Sequence, residues 1–194
     1  MDDVFFYMQL GLHHVLDFSA YDHILFLAAL ALPFTFKDWK KVVLLATFFT
    51  IAHCTSLLLS VYGIVVMDVG LIEFLIPVTI VSIVLFNFLY RKAAKQDKSI
   101  LLHVGATLFF GLIHGFGFSN YFNMLLAEEE EKFSSLLSFA LGIEFSQVIL
   151  VLSMLFLAYV FLSWFKVKPE VYTYVGSSII FLIAIPMLIN TFPW

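Results

Sequence analysis

His13-His14-Val15-Leu16-Asp17-Phe18-Ser19-Ala20-Tyr21-Asp22-His23-Ile24-Leu25-Phe26-Leu27 sets three histidines and two carboxylates at the head of an apolar run. The chain around it is 62% hydrophobic and 12% charged, whereas soluble domains are about 45–50% apolar. Such a composition belongs to an integral membrane protein. Ionisable groups at membrane depth are costly and rare, so each is a functional candidate. Here several stand together.

Upstream, residues 4–16 are apolar except for Gln9, His13 and His14. This is too short for the ~20 residues that cross a ~30 Å hydrocarbon core, and predicts a short helix in or dipping into the outer interface. Asp17 and Ser19 are candidate N-caps for the next helix. Downstream, six apolar segments of roughly crossing length follow: 19–36, ending near Pro33; Trp39–Tyr62; Val69–Tyr90; Ser99–Phe118; Phe133–Phe165, which is over-long and therefore tilted or protruding; and Tyr172–Ile189. The expectation is an all-α polytopic membrane protein of six transmembrane helices plus the short N-terminal helix, forming a single integral membrane domain over residues 1–194. The first residues, Met1-Asp2-Asp3, lack a basic region and cleavage site, so no removable signal peptide is expected. The single cysteine, Cys54, excludes an intrachain disulfide framework.

Lysine and arginine set orientation, because they are enriched in cytoplasmic loops. Lys37, Lys40 and Lys41 follow the first span, Arg91, Lys92, Lys95 and Lys98 the third, and Lys166 and Lys168 the fifth; Lys132 alone falls on the opposite side. Both termini are therefore expected outside, with loops 62–70 and 119–132, in a multi-pass protein of a bacterial cytoplasmic membrane.

That topology places Asp22 and His23 in the first turn of the first span, His14 just before it, His53 in the outer half of the second, Glu73 at the outer start of the third, His114 near the outer end of the fourth, and Glu144 in the outer half of the fifth, with Gln147 one turn on. Ionisable side chains from five spans and a flanking segment thus share one level. Adjacent residues on a helix diverge by ~100°, so Asp22 and His23 can face one cavity only at a helix end, which is where they lie. Imidazole and carboxylate are ligands for zinc, nickel, iron or manganese, and a dry bundle interior favours coordination because the ion neutralises carboxylates and satisfies ring nitrogens.

The run from His14 through Asp22-His23-Ile24-Leu25-Phe26-Leu27, then Phe49-Thr50-Ile51-Ala52-His53, Phe110-Gly111-Leu112-Ile113-His114-Gly115-Phe116-Gly117-Phe118 and Leu141-Gly142-Ile143-Glu144-Phe145-Ser146-Gln147, resembles the HupE/UreJ family of bacterial membrane proteins, in its second branch. The resemblance implies about six helices and a role as a nickel or cobalt permease associated with hydrogenase and urease maturation. It implies that His14, Asp22, His23, His114 and Glu144 handle the metal. The chain departs from the pattern in having Cys54, not serine, after His53, and in a wider spacing from His14 to Asp22.

Other polar residues have plainer readings. His103, near the inner end of its helix, reads as an interfacial or packing residue; His13 faces water or headgroups; Asn87 forms an interhelical hydrogen bond; Cys54 is a small packing residue; Gly111, Gly115 and Gly117 permit close helix approach; Glu128–Glu131 form a solvated run. The 24 phenylalanines are lipid-facing surface and core. No phosphate-cradling loop, haem motif or nucleic-acid patch is present, and Ser19, Ser56 and Ser119 carry no nucleophile signature.

Three functions fit. In a transition-metal permease for nickel, cobalt or zinc, the outer residues capture a divalent ion, although Thr47, Thr79, Ser82, Asn87, Thr107 and Ser153 offer only a thin inward path. In an intramembrane zinc-dependent hydrolase or transferase, three histidines and a carboxylate hold the metal, Glu144 or Asp22 is the general base, and a lipid or lipoprotein enters laterally. The third is a metal-stabilised subunit of an envelope complex. Expected partners are membrane lipid and the metal ion, without nucleic acid, together with a membrane-protein partner or a second copy of the chain.

Overall fold

The computed structural model describes residues 2–18, 21–89, 97–127, 129 and 131–193, with the backbone alone at 2–3 and 97–100. Ser19, Tyr90, Arg91, Lys92, Lys95, Glu128 and Glu130 lie outside the described residues, so the expectations resting on them are not addressed by the fold. The described residues form seven α-helices: α1 Asp2–Leu16, α2 Asp22–Ala31, α3 Trp39–Val61, α4 Val69–Leu89, α5 Asp97–Leu125, α6 Lys132–Tyr159 and α7 Pro169–Asn190. A 3-10 turn at Phe36–Asp38 leads into α3, and α6 runs on through a π turn at Val160–Trp164. No strand occurs among the described residues.

Among the described residues, five helices are long and apolar enough to cross a membrane, namely α3 to α7. The expected first span over 19–36 is shorter than predicted. Its helix covers only Asp22–Ala31, about 15 Å at 1.5 Å per residue, because Pro33 stops it. Proline has no N–H, so the carbonyl of Ala29 loses its partner four residues on, and a bare carbonyl at membrane depth is costly. Asn87 of α4 makes good the loss: its Nδ2 donates to the Ala29 carbonyl at 2.8 Å. The Thr173 hydroxyl of α7 donates likewise to the Leu32 carbonyl at 3.1 Å. The reading of Asn87 as an interhelical donor therefore holds. Tyr21, not the expected Asp17, stands at the N-cap of α2, without a side-chain cap bond.

The fourth predicted span is also longer than expected. α5 continues to Leu125, past Phe118, so the first half of the expected outer loop at 119–132 is helix, and Phe122 and Leu126 are buried. α6 with its π turn has the predicted excess length.

Two glycine crossings set how deep the helices sink into one another. α5 lies against α3, its main partner; a Cβ on Gly115 would collide with the His53 carbonyl and the Ser56 hydroxyl, and one on Gly111 would come to 2.7 Å of the Phe49 carbonyl. α1 crosses α6 in the same way, since a Cβ on Gly11 would strike the Phe139 carbonyl and one on Gly142 the Met8 carbonyl. Small residues that let backbones touch are the usual basis of association between apolar helices in lipid. Gly111 and Gly115 thus do what the sequence suggested, whereas Gly117 meets only the Ile76 and Ile72 side chains.

Candidate metal centre

Each helix crossing brings in a candidate ligand. The Gly11/Gly142 contact holds α1 on α6, and three residues beyond Gly11 is His14. The Gly111/Gly115 contact presses α5 onto α3; Gly115 meets the His53 backbone across the interface, and beside it in the chain stands His114. The short α2, tied down by Asn87 and Thr173, begins with Asp22-His23 in its first turn, where a carboxylate is also favoured by the helix dipole.

These five side chains meet. Ligand atoms of His14, His23 and His53 all lie within 4.8 Å of one another, and so do those of Asp22, His23 and His114. His23 belongs to both groups. Three atoms no more than 4.8 Å apart lie within about 2.8 Å of a common point, so bonds of ~2.0–2.1 Å need each ligand atom to move less than about 1 Å. His53, His114 and His23 are 0%, 1% and 2% exposed, respectively, and Asp22 and His14 are half-buried.

The same side chains carry free ring nitrogens that a cation could satisfy. His14 Nε2, His23 Nε2, both nitrogens of His53 and His114 Nδ1 are buried without a hydrogen-bond partner, although buried polar atoms in native proteins are nearly always paired. His114 is the most telling. The single hydroxyl proton of Thr79 goes to the Ile76 carbonyl at 2.6 Å, so at 3.1 Å Thr79 Oγ1 accepts from His114 Nε2–H. The lone pair is then on Nδ1, and Nδ1 faces Asp22 Oδ2 at 3.9 Å. Two acceptors face each other, an arrangement that a cation between them would stabilise. Asp22 Oδ1 lies 3.3 Å from His23 Nδ1. A second residue that orients the ring of a ligating histidine is a regular feature of metal sites, and Thr79 fits that description.

The walls are aromatic. Phe49 lies 5.3 Å from His114 and 5.9 Å from both His23 and His53 between ring centres, and Phe26 lies 5.5 Å from His114. Phe26 in turn packs on Phe110 at 5.6 Å. On the other side, His14 opens onto a vestibule of about 720 Å³ bordered by His13, Asp17, Phe18, Phe118 and Tyr121.

The remaining candidates lie elsewhere. Glu144 is held between helices: its Oε1 and Oε2 accept from the Thr47 and Thr50 hydroxyls, both at 2.6 Å, and it is not in either ligand group among the described residues. Gln147 is buried, with Oε1 at 3.4 Å from the Thr50 hydroxyl. Glu73 is exposed on the first turns of α4. His103 is buried between Phe34 and Phe86, at 5.5 and 5.0 Å, a packed position, and His13 is exposed. Ser56 and Ser119 donate to the His53 and Phe116 carbonyls. Cys54 is a free, half-buried thiol.

Sequence reasoning missed Thr79 as a partner of His114, and Thr47 with Thr50 as the cradle of Glu144. Their polarity within apolar helices was a signal, but their partners lie on other helices. Compared with known proteins, the chain matches the family model described as HupE / UreJ protein over residues 1–191. No curated protein and no solved structure matches it.

Proposed function

This chain belongs to the HupE/UreJ family of membrane proteins, a family associated with nickel and cobalt transport, and from that premise we propose that it is a divalent transition-metal permease whose cargo binds at His14, Asp22, His23, His53 and His114. The observation that carries the reading is the convergence of four imidazoles and one carboxylate from four helices, with at least one ring nitrogen of each histidine buried and unpaired.

In this reading the ion reaches the cluster from the vestibule past His14, sheds water, and exchanges it for imidazole nitrogens and the Asp22 carboxylate. Asp22 supplies the negative charge that offsets part of the desolvation penalty of a divalent cation. Thr79 holds His114 with Nδ1 presented. Glu144 stands outside the coordination set and, with Thr47 and Thr50, joins α6 to α3. The domain is one bundle of six crossings in a bacterial inner membrane, α2 and the stretch after it making the sixth, with both termini outside as the lysines and arginines indicate. Nickel, cobalt and zinc all suit an imidazole-rich site.

The test is cobalt and nickel accumulation in cells expressing the parent chain or His114→Ala at equal membrane abundance. Uptake above the empty-vector level that His114→Ala abolishes supports the permease; bound metal with no change in accumulation refutes it.

A second reading has its own observation. The cluster opens to an apolar-walled vestibule but is backed by Phe26, Phe49 and Phe110, which favours a site reached from one side only. That is the geometry of an intramembrane zinc hydrolase or transferase taking a lipid-like substrate, with Asp22 as the nearer candidate base. Turnover of a lipid or lipoprotein ester by the zinc-loaded protein, with no effect on metal accumulation, would select it.

A further inference from the structure

Resting on the permease reading, we infer that the centre is two overlapping three-ligand positions which one ion occupies in turn, passing from one to the other while staying beside His23. The two ligand groups, His14/His23/His53 and Asp22/His23/His114, have only His23 in common. His23 sits between them. Its Nδ1 lies against Asp22 at 3.3 Å, its Nε2 is buried and unpaired, and its ring centre is 4.6 Å from that of His14, 5.5 Å from His53 and 5.1 Å from His114.

The two positions differ in access and in charge. The first adjoins the vestibule, because His14 is part of the vestibule wall. The second does not border it, and is fixed from behind by Thr79 and the Phe26 ring. The first is built of three imidazoles, the second contains the only carboxylate of either group. An ion arriving at the first therefore gains a compensating charge by moving to the second, exchanging His14 and His53 for Asp22 and His114. One carboxylate cannot balance two divalent ions in a bundle interior, where uncompensated charge is strongly penalised, so the positions fill alternately.

The experiment is cobalt(II) binding to the detergent-solubilised full chain, read by stoichiometry and by X-ray absorption at one equivalent. Expected are one ion per parent chain with three protein ligands, one ion in His14→Ala/His53→Ala with a carboxylate among its ligands, one ion in Asp22→Asn/His114→Ala with nitrogen ligands alone, and loss of binding in His23→Ala. Four or five protein ligands in the parent, or two ions bound at once, overturns the hand-over and leaves the permease reading standing. A parent that binds no ion overturns that reading too. The parent's ligand count decides the matter even if a double variant fails to fold.

Discussion

Thr79→Val removes one oxygen from the second rank of the centre and nothing from the first. Valine matches threonine in shape, so packing at this buried position is kept, while His114 Nε2–H loses the acceptor it has at 3.1 Å. A buried donor left unpaired costs about 1–3 kcal/mol, and at 1.4 kcal/mol per tenfold that corresponds to a roughly 5- to 150-fold change. His114 can recover the cost by turning its ring, which takes Nδ1 away from Asp22, or by shifting its proton to Nδ1, which occupies the lone pair that would bind the metal. Either response weakens the same bond. Metal affinity should therefore fall by about 10–100-fold, the usual effect of losing an orienting partner, while Thr79→Ser, which restores a hydroxyl, should recover most of it. The assay is competitive titration of purified protein with cobalt or zinc against a chromophoric chelator, with thermal unfolding in detergent measured alongside. Thr79→Val binding as tightly as the parent would refute the assignment of Nδ1 as the ligand atom. Equal weakening in Thr79→Ser and Thr79→Val would refute the hydrogen bond as its cause.

Gly115→Ala should lower thermal stability by about 1–3 kcal/mol, the range for an overpacked contact, because its Cβ would run into the His53 carbonyl; Gly105→Ala, which meets nothing within 4 Å, should be neutral or mildly stabilising, and equal melting curves for the two would refute the crossing. Asn87→Leu should cost about 1–3 kcal/mol by stripping the Ala29 carbonyl of its donor, read as a lowered melting temperature; an unchanged one would mean that the carbonyl finds another partner. Glu144→Gln should leave metal affinity unchanged, since Glu144 is bound to Thr47 and Thr50, whereas Asp22→Asn should lower it without changing the number of ions bound at saturation; a competitive titration showing equal weakening in the two would put Glu144 into the coordination set.

Much of this was legible in the sequence, for reasons particular to lipid. Apolar length fixes which segments can cross, and α3, α4 and α7 begin and end within a few residues of expectation. A charge at membrane depth announces itself, so His14, Asp22, His23, His53 and His114 could be picked out before any fold was known. What could not be read was partnership across helices. Glu144 has the same chemistry as Asp22 and a similar depth, and only the rotation of α6 against α3 gives it to two threonines. The stop near Pro33 was legible, and α2 ends at Ala31; only the span drawn to residue 36 was too long, because apolar residues continue past the proline. The end of α5 was misjudged because Ser119, Asn120 and Asn123 look like a loop, while the helix persists by packing Phe122 into the core.

The most direct test of the metal centre is elemental analysis of the purified chain by plasma mass spectrometry after equilibration with nickel, cobalt or zinc, set beside His23→Ala/His114→Ala. A near-stoichiometric divalent ion in the parent that is lost from the variant is the expected result. An equal metal content in the two proteins, whether high or at background, would contradict it and leave the buried histidines as a structural network.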